Sequence, residues 1–250
     1  MSAAHEAGPA LYHALAGWWP LMSSPADYEE EAGLFGGILA ERVPDRRSLL
    51  ELGSGGGNNA SHMKVAFERV TLVDVAPGMV EVSRALNPEC EHHVGDMRSV
   101  RLGEMFDCVF IHDAICYMTT VEDLRRAVET AWVHCRPGGV ALFVPDYVAE
   151  TFRPDTSSGG HDGEDRALRY LAWSWDPDPA DTTFLVDYAY LLRDPEGGTR
   201  VVHDRHEEGL FPQAAWEATL REIGFTPEVV RVDHSEVDYP LLAFVGRRPA

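Results

Sequence analysis

The sequence predicts an α/β fold built on a doubly wound, mostly parallel sheet. Three observations carry this. Short apolar runs alternate with amphipathic stretches between residues 48 and 144, the pattern of strands joined by helical crossovers. The first run ends in a glycine cluster. After residue 150 the alternation gives way to long strand-like segments, then one helix and two closing strands.

Each element follows from its residues. Ser48-Leu49-Leu50-Glu51-Leu52 is a buried strand feeding a tight turn. Val70–Val73 is a second strand ending at Asp74, and Pro77 opens a helix with Val80, Val82 and Leu86 as its apolar positions. His92–Val94 is a short third strand ending at Gly95-Asp96. Asp107–Ile111 is a fourth, followed by a helix capped by Thr120, with Leu124, Ala127, Val128 and Ala131 on one face. Arg136-Pro137-Gly138-Gly139 stops that helix before the strand Val140–Val144. Residues 153–182 read as loop with one short helix around Leu168–Trp173. Thr183–Leu192 and Thr199–Leu210 form a hairpin around Asp194–Gly198. A helix from Pro212 carries Trp216, Leu220 and Ile223 and stops at Gly224. Val229–Val232 and Leu241–Val245, with no helix between them, make an antiparallel pair at the sheet edge.

The chain has 250 residues, 41 acidic against 21 basic, and a net charge of −20. Each successive fifty residues carries between −3 and −5, so the acidity is spread evenly. No segment is basic enough to neutralise a run of phosphates, which argues against nucleic acid and against an anionic membrane surface. No apolar stretch approaches the roughly 20 residues that span a bilayer. The four cysteines show neither zinc spacing nor a C-x-x-C pair. A cytoplasmic protein without a structural metal is expected.

The glycines at 53, 55 and 57 let the backbone turn sharply and approach a ligand, and the helix from Asn58 points free N–H groups at it. Gly55, Gly57 and Ala60 also fit the dinucleotide pattern, so the loop alone does not choose between cofactors. Asp74, 17 residues beyond Gly57, can accept both hydroxyls of a ribose. Asp96 can accept the amine of an adenine, with Met97, Val75 and Met79 covering the base.

With these motifs in order, the sequence resembles the class I S-adenosylmethionine-dependent methyltransferases: E-x-G-x-G-x-G at 51–57, VDVAPGM at 73–79, GDM at 95–97, FDCVFIHDAICYM at 106–118 and RPGGVALF at 136–143. The resemblance implies a seven-stranded Rossmann-like sheet with an antiparallel last strand. It also implies S-adenosylmethionine as cofactor, with Glu51 in the loop motif, Gly53, Gly55 and Gly57 at the methionine end, Asp74 at the ribose and Asp96-Met97 at the adenine. The inserted hairpin and Gly209-Leu210-Phe211 resemble a narrower subset, small-molecule N-methyltransferases that include enzymes dimethylating amino groups of nucleotide-linked deoxysugars. Two positions depart from it. Tyr117 stands where that subset carries a histidine, and Tyr239-Pro240-Leu241 stands in place of a Gly-Arg-Gly segment. The missing arginine weakens a diphosphate site, so the sugar-nucleotide substrate is not carried over.

Four parts follow: lid helices over 1–45, a cofactor-binding core over 46–150, an inserted acceptor-side hairpin over 151–211, and the closing helix and strands over 212–250. Methyl transfer from a sulfonium mainly needs two molecules aligned in line, with a base only where the nucleophile must lose a proton. His112 and Tyr117, after the fourth strand, and His206 on the hairpin are the candidate catalytic groups, with His112 also placed at the cofactor. Tyr12, Trp18, Tyr117, Asp146, Tyr147 and His203 are candidate acceptor contacts. Strand alternation puts His203, Arg205 and Glu207 on one hairpin face and Asp204, His206 and Glu208 on the other, without saying which lines the cleft. Tyr28 resembles a lid tyrosine near the methionine carboxylate. The aromatic N-terminal segment could equally serve a homodimer interface. The expected activity is methyl transfer to a nitrogen or oxygen of a small molecule. The rivals are a dinucleotide oxidoreductase and a protein of the same fold that binds the cofactor without transferring methyl groups.

Overall fold

The protein is represented by a computed structural model that describes residues 8–235 and 239–250. The first seven residues of the expected lid lie outside the described residues. From Gly8 the chain runs through short 3₁₀ turns at Ala10–Tyr12 and Ala16–Trp18, helix α1 (Trp19–Met22), a turn at Pro25–Tyr28 and helix α2 (Glu29–Arg42). The alternating part then follows: β1 (Ser48–Leu52), α3 (Asn58–Met63), β2 (Arg69–Asp74), α4 (Pro77–Leu86), β3 (Glu91–Val94), β4 (Phe106–His112), α5 (Val121–His134) and β5 (Cys135–Val144). Four further strands are β6 (Asp155–Gly159), β7 (Ala167–Trp175), β8 (Thr183–Arg193) and β9 (Thr199–Gly209). Helix α6 (Gln213–Ile223), β10 (Thr226–Val232) and β11 (Leu241–Arg247) complete the chain.

The first sheet has seven strands in the order β10-β11-β5-β4-β1-β2-β3. All neighbours are parallel except β11, which is antiparallel to both β5 and β10. The last strand therefore slots inside the sheet and leaves β10 at the edge. Alternation along β1 builds both cores. Leu50 and Leu52 face Leu124, Val128 and Trp216 of α5 and α6, whereas Leu49 faces Phe35 and Leu39 of α2. Since each face is covered by helices, the parallel strands are nearly continuous apolar runs.

Helix α5 starts where Thr120 Oγ1 accepts the N–H of Asp123 at 3.1 Å. Its four expected core residues, Leu124, Ala127, Val128 and Ala131, are completely buried. Thr120→Ala should cost about 1 kcal/mol, the usual loss for an N-cap, read as a small downward shift of the denaturant midpoint. The helix passes directly into β5. The register jumps from Phe106 opposite Cys135 to Cys108 opposite Val140, so Arg136–Gly139 bulge out of the ladder. Arg136 there reaches back to pair with Asp107, whose carboxylate also accepts the Arg47 and Ser48 N–H groups at 2.7 Å each.

The inserted region corrects the sequence reading. No helix forms at Leu168–Trp173; those residues belong to β7, and the expected hairpin is two strands of a four-stranded antiparallel sheet, β6-β7-β8-β9. The physical reason is a period of two. Leu168 and Ala172 are buried while Arg169, Leu171 and Trp173, on the opposite face, are exposed. The hairpin turn itself stands as read, with Gly197 in the left-handed region and the Asp194 side chain accepting the Gly198 N–H at 2.6 Å.

Candidate active site

At the carboxyl ends of β1, β2 and β4 the chain encloses a cavity of about 550 Å³. It gathers most of the expected site: Glu51, Gly53 and Gly55; Asp74 and Val75; Asp96 and Met97; His112 and Tyr117; and Tyr12 and Tyr28 from the N-terminal part. Other residues support it from behind. The Gly57 carbonyl accepts the Asn87 side-chain N–H at 2.9 Å, and Met79 is fully buried beneath the loop.

The loop shape follows from its glycines. At Gly53 φ is +73° and the N–H donates to the Val73 carbonyl at 2.7 Å. A Cβ there would lie 2.3 Å from Ala114 Cβ and 2.7 Å from Met97 Cε. The loop is tied to the second strand by Asp74, whose Oδ2 accepts the Gly55 N–H and whose Oδ1 accepts the Ala76 N–H, both at 2.8 Å. Burial pushes the Asp74 carboxyl up, against the pull of those two bonds. Each oxygen keeps lone pairs for a ligand hydroxyl.

Asp96 is less free than expected. Arg98 grips both carboxylate oxygens, at 2.6 to 3.0 Å, and overcomes burial to hold the group below its ordinary range. Arg98, itself lining the cavity, also reaches Asp123 at 3.2 Å.

Glu51 is the informative acid. It is 3% exposed, its Oε2 has no hydrogen-bond partner, and burial pushes its carboxyl up to about 8. The indole Nε1 of Trp19, another lining residue, is likewise buried without a partner. The Trp19 N–H is packed against Gly56 of the glycine loop, whereas the unpaired Glu51 oxygen belongs to a residue of the cavity wall and fits a ligand carrying an ammonium. With the glycine cradle and Asp74, these residues fit S-adenosylmethionine. Because folding raises the Glu51 pKa, its contribution to stability is greatest below the ordinary carboxylate range and is lost as pH rises through about 8. Glu51→Gln removes that loss, so its melting temperature should fall less than wild type's between pH 5 and 8, by about 10 °C. Equal slopes would show that Glu51 is already ionised in the folded protein.

His112 sits among acids. Its Nε2 is 2.8 Å from Asp113 Oδ1, and its Nδ1 lies 3.1 Å from the Asn59 amide and 3.5 Å from Glu31. Burial works against its charge, but Asp113, Glu31 and Glu51 prevail and push the imidazole up to about 9. An imidazolium donates protons and does not accept them, so these surroundings suit His112 to donating rather than to acting as a base. Asp113 holds its place at a cost, being the one described non-glycine residue with positive φ, +35°.

A second group converges from three separate elements. Tyr12 Oη is 2.9 Å from Tyr117 Oη, which is 2.7 Å from His206 Nδ1; His206 Nε2 is 3.2 Å from Asp204 Oδ2. Asp204, His206 and Glu208 form the buried face of β9, whereas His203 is exposed and paired outward with Asp187 at 2.9 Å. His203 therefore stands away from the cavity. Trp18 also lies outside it, stacked under Arg166 at 4.9 Å, and its neighbour Trp19 lines the wall instead. Tyr147 packs with Phe152, Phe184 and Tyr239 rather than in the cavity. Asp146 is hydrogen-bonded to Asp113, and burial and that neighbour push it well up, so it keeps its proton. Cys116, Asp146 and Glu208 bring ligand atoms within 4.8 Å of one another, but burial raises all three groups, which opposes the deprotonation a metal requires.

Sequence reasoning missed Trp19, Asn58, Asn59, Arg98 and the half-buried Glu31 as site residues. Two consecutive asparagines after the glycine loop were a usable signal. Nothing local marked Glu31, whose Oε1 accepts the Asn59 N–H at 2.8 Å across 28 residues.

The sheet order, the glycine cradle and the acids ending β2 and β3 define the class I architecture of S-adenosylmethionine-dependent methyltransferases. Residues 49–139 match the family described as a methyltransferase domain. The chain is 30% identical over 211 residues to the dTDP-3-amino-3,4,6-trideoxy-alpha-D-glucopyranose N,N-dimethyltransferase of Streptomyces venezuelae, covering 84% of this chain and 86% of the relative. It is 29% identical to the dTDP-4-amino-2,3,4,6-tetradeoxy-D-glucose N,N-dimethyltransferase of Saccharopolyspora spinosa, covering 81% and 80%. Among solved structures, a sugar N-methyltransferase from Streptoalloteichus superposes with a TM-score of 0.83 at 26% identity, covering 100% of this chain and 97% of that one. This chain belongs to the class I S-adenosylmethionine-dependent methyltransferases, and within them it is similar to small-molecule N-methyltransferases of the amino-sugar N,N-dimethyltransferase kind. It is an S-adenosylmethionine-dependent enzyme that transfers methyl to a nitrogen or oxygen of a small molecule.

Proposed function

We propose that the acceptor is a primary or secondary amine of an amino-sugar type and that the reaction is N-methylation. The observation that carries this is the Tyr12–Tyr117–His206–Asp204 line, which offers a proton acceptor beside the cavity. The bound cofactor supplies an electrophilic methyl group already activated by the sulfonium. The chain's own residues do the rest. Glu51, the glycine loop and Asp74 hold the donor; Tyr12 and Tyr117 present their hydroxyls to the acceptor side of the cavity. An amine gains a positive charge as it gains a methyl group, and must shed a proton before a second transfer. Tyr117 can pass that proton to His206 Nδ1, while its own hydroxyl is kept protonated by burial.

The division of labour follows. Among the described residues, 8–45 cover the cavity, 46–150 bind the cofactor, 151–211 supply the acceptor side, and the helix and strands between 212 and 247 close the core sheet. The acidic surroundings suit a cationic amine better than a phosphorylated molecule. Arg98, the arginine of the cavity wall, is already paired with Asp96 and Asp123. Among the described residues no helix is long and apolar enough to cross a membrane. The evenly spread negative charge is the ground for reading the protein as a cytoplasmic enzyme that avoids nucleic acid. The aromatic N-terminal segment packs on the inserted sheet, and a homodimer would use another surface.

The test is mass-spectrometric detection of methylated product from S-adenosylmethionine with two acceptor sets: dTDP-linked 3- and 4-aminodeoxyglucoses, and the same amino sugars unlinked. Transfer to amines, stronger for the unlinked set, is expected. Transfer only to hydroxyl-bearing analogues would replace N- by O-methylation.

A further inference from the structure

The strand β9 gives the carboxylate at the end of the Tyr12–Tyr117–His206 line two further partners that methyl transfer itself does not use. Asp204 is 8% exposed, and its side chain has three partners. Oδ1 accepts the Ala10 N–H at 3.1 Å; Oδ2 accepts the Leu11 N–H at 2.9 Å and lies 3.2 Å from His206 Nε2. Two of the three belong to the backbone of the N-terminal segment, about 190 residues away in sequence.

We infer that Asp204 is a positioning residue that couples closure of the N-terminal segment to the setting of the His206–Tyr117–Tyr12 line. The contacts form a closed circuit. The segment 10–12 donates to Asp204; Asp204 holds His206 Nε2–H; His206 Nδ1 is then left as an acceptor for the Tyr117 hydroxyl; and Tyr117 meets Tyr12, which stands on the same segment. A histidine's free nitrogen is set by the bond its other nitrogen makes. The segment is made of 3₁₀ turns, which hold little stability of their own, and its buried anchors are Leu11 and Leu15 against Leu168, Tyr190 and Leu192 of the inserted sheet. If the segment lifts, Asp204 exchanges two backbone donors for water, Tyr12 leaves Tyr117, and the tautomer of His206 loses its fixed partner. The line is therefore assembled only when the cavity is covered, so proton transfer and exclusion of water arrive together.

The catalytic consequence rests on the amine reading above, but the structural coupling is testable without any acceptor. Full-length protein labelled with ¹⁵N-histidine, with and without S-adenosylhomocysteine, should show His206 as the Nε2–H tautomer. Asp204→Asn should turn that signal into a tautomer mixture and lower hydrogen-exchange protection at the Leu11 amide by about tenfold, the scale of one hydrogen bond to a charged acceptor. Ala10→Pro removes one donor from the segment, leaves Asp204 in place and suits the first position of a helical turn. It should move the His206 ring signals in the same direction, by less. Unchanged Leu11 protection in Asp204→Asn, or ring signals unmoved by Ala10→Pro, overturns the coupling. A protein that methylates no amine would sink the amine reading and leave these signals intact as the test of Asp204.

Discussion

Gly53→Ala should weaken binding of S-adenosylmethionine and its demethylated product at least about 100-fold by calorimetry. Two effects combine. A side chain at φ +73° costs about 1–2 kcal/mol of backbone strain. The new methyl would also fall 2.3 Å from Ala114 Cβ and 2.7 Å from Met97 Cε, so the loop or the wall beside the cofactor must shift. Gly103→Ala separates the two. Gly103 has nearly the same φ, +77°, and nothing within 4 Å of the added Cβ. It should lose comparable stability and keep its affinity. Equal loss of binding in both variants would mean that strain, not the cradle, governs affinity.

Tyr117→Phe should lower kcat about 100-fold, the lower end of what a positioned proton-transfer group contributes, with cofactor affinity changed by less than about twofold. The substitution keeps the ring, which is packed edge-on against Tyr12 with centroids 5.7 Å apart, and deletes only the hydroxyl between Tyr12 and His206. His206→Gln should cost a similar factor, and the double variant little more than either, because both break one line. A Tyr117→Phe enzyme with unaltered kcat would show that the acceptor reaches the methyl group already deprotonated and needs no relay.

The legible part of this protein was the part whose physics is local. Glycines at 53, 55 and 57 and the acid ending β2 act on their own turn and on the next strand, within about two dozen positions. The same locality made α5 readable from its cap and its apolar face. The misreading at 168–173 arose where a period of two competed with a short aromatic run in a Pro- and Gly-rich context. Only pairing with β6 and β8 gives those residues their strand conformation. His112 shows a different limit. Its position at the end of β4 and its neighbour Asp113 were readable, but its burial and the added pull of Glu31 on α2 and Glu51 on β1 come only from packing on the sheet.

The amino-acid sequence alone determined the α/β class and, through the ordered motif set, the cofactor, because the glycine turn and the acid ending the next strand depend on short-range geometry that few residue types satisfy. Tertiary structure alone decided which face of β9 turns inward, that Trp19 rather than Trp18 lines the cavity, and that Tyr12, Tyr117, His206 and Asp204 meet. Their partners lie about 90 to 190 positions apart, and burial of polar groups forces them together: each must find a donor or acceptor once water is excluded.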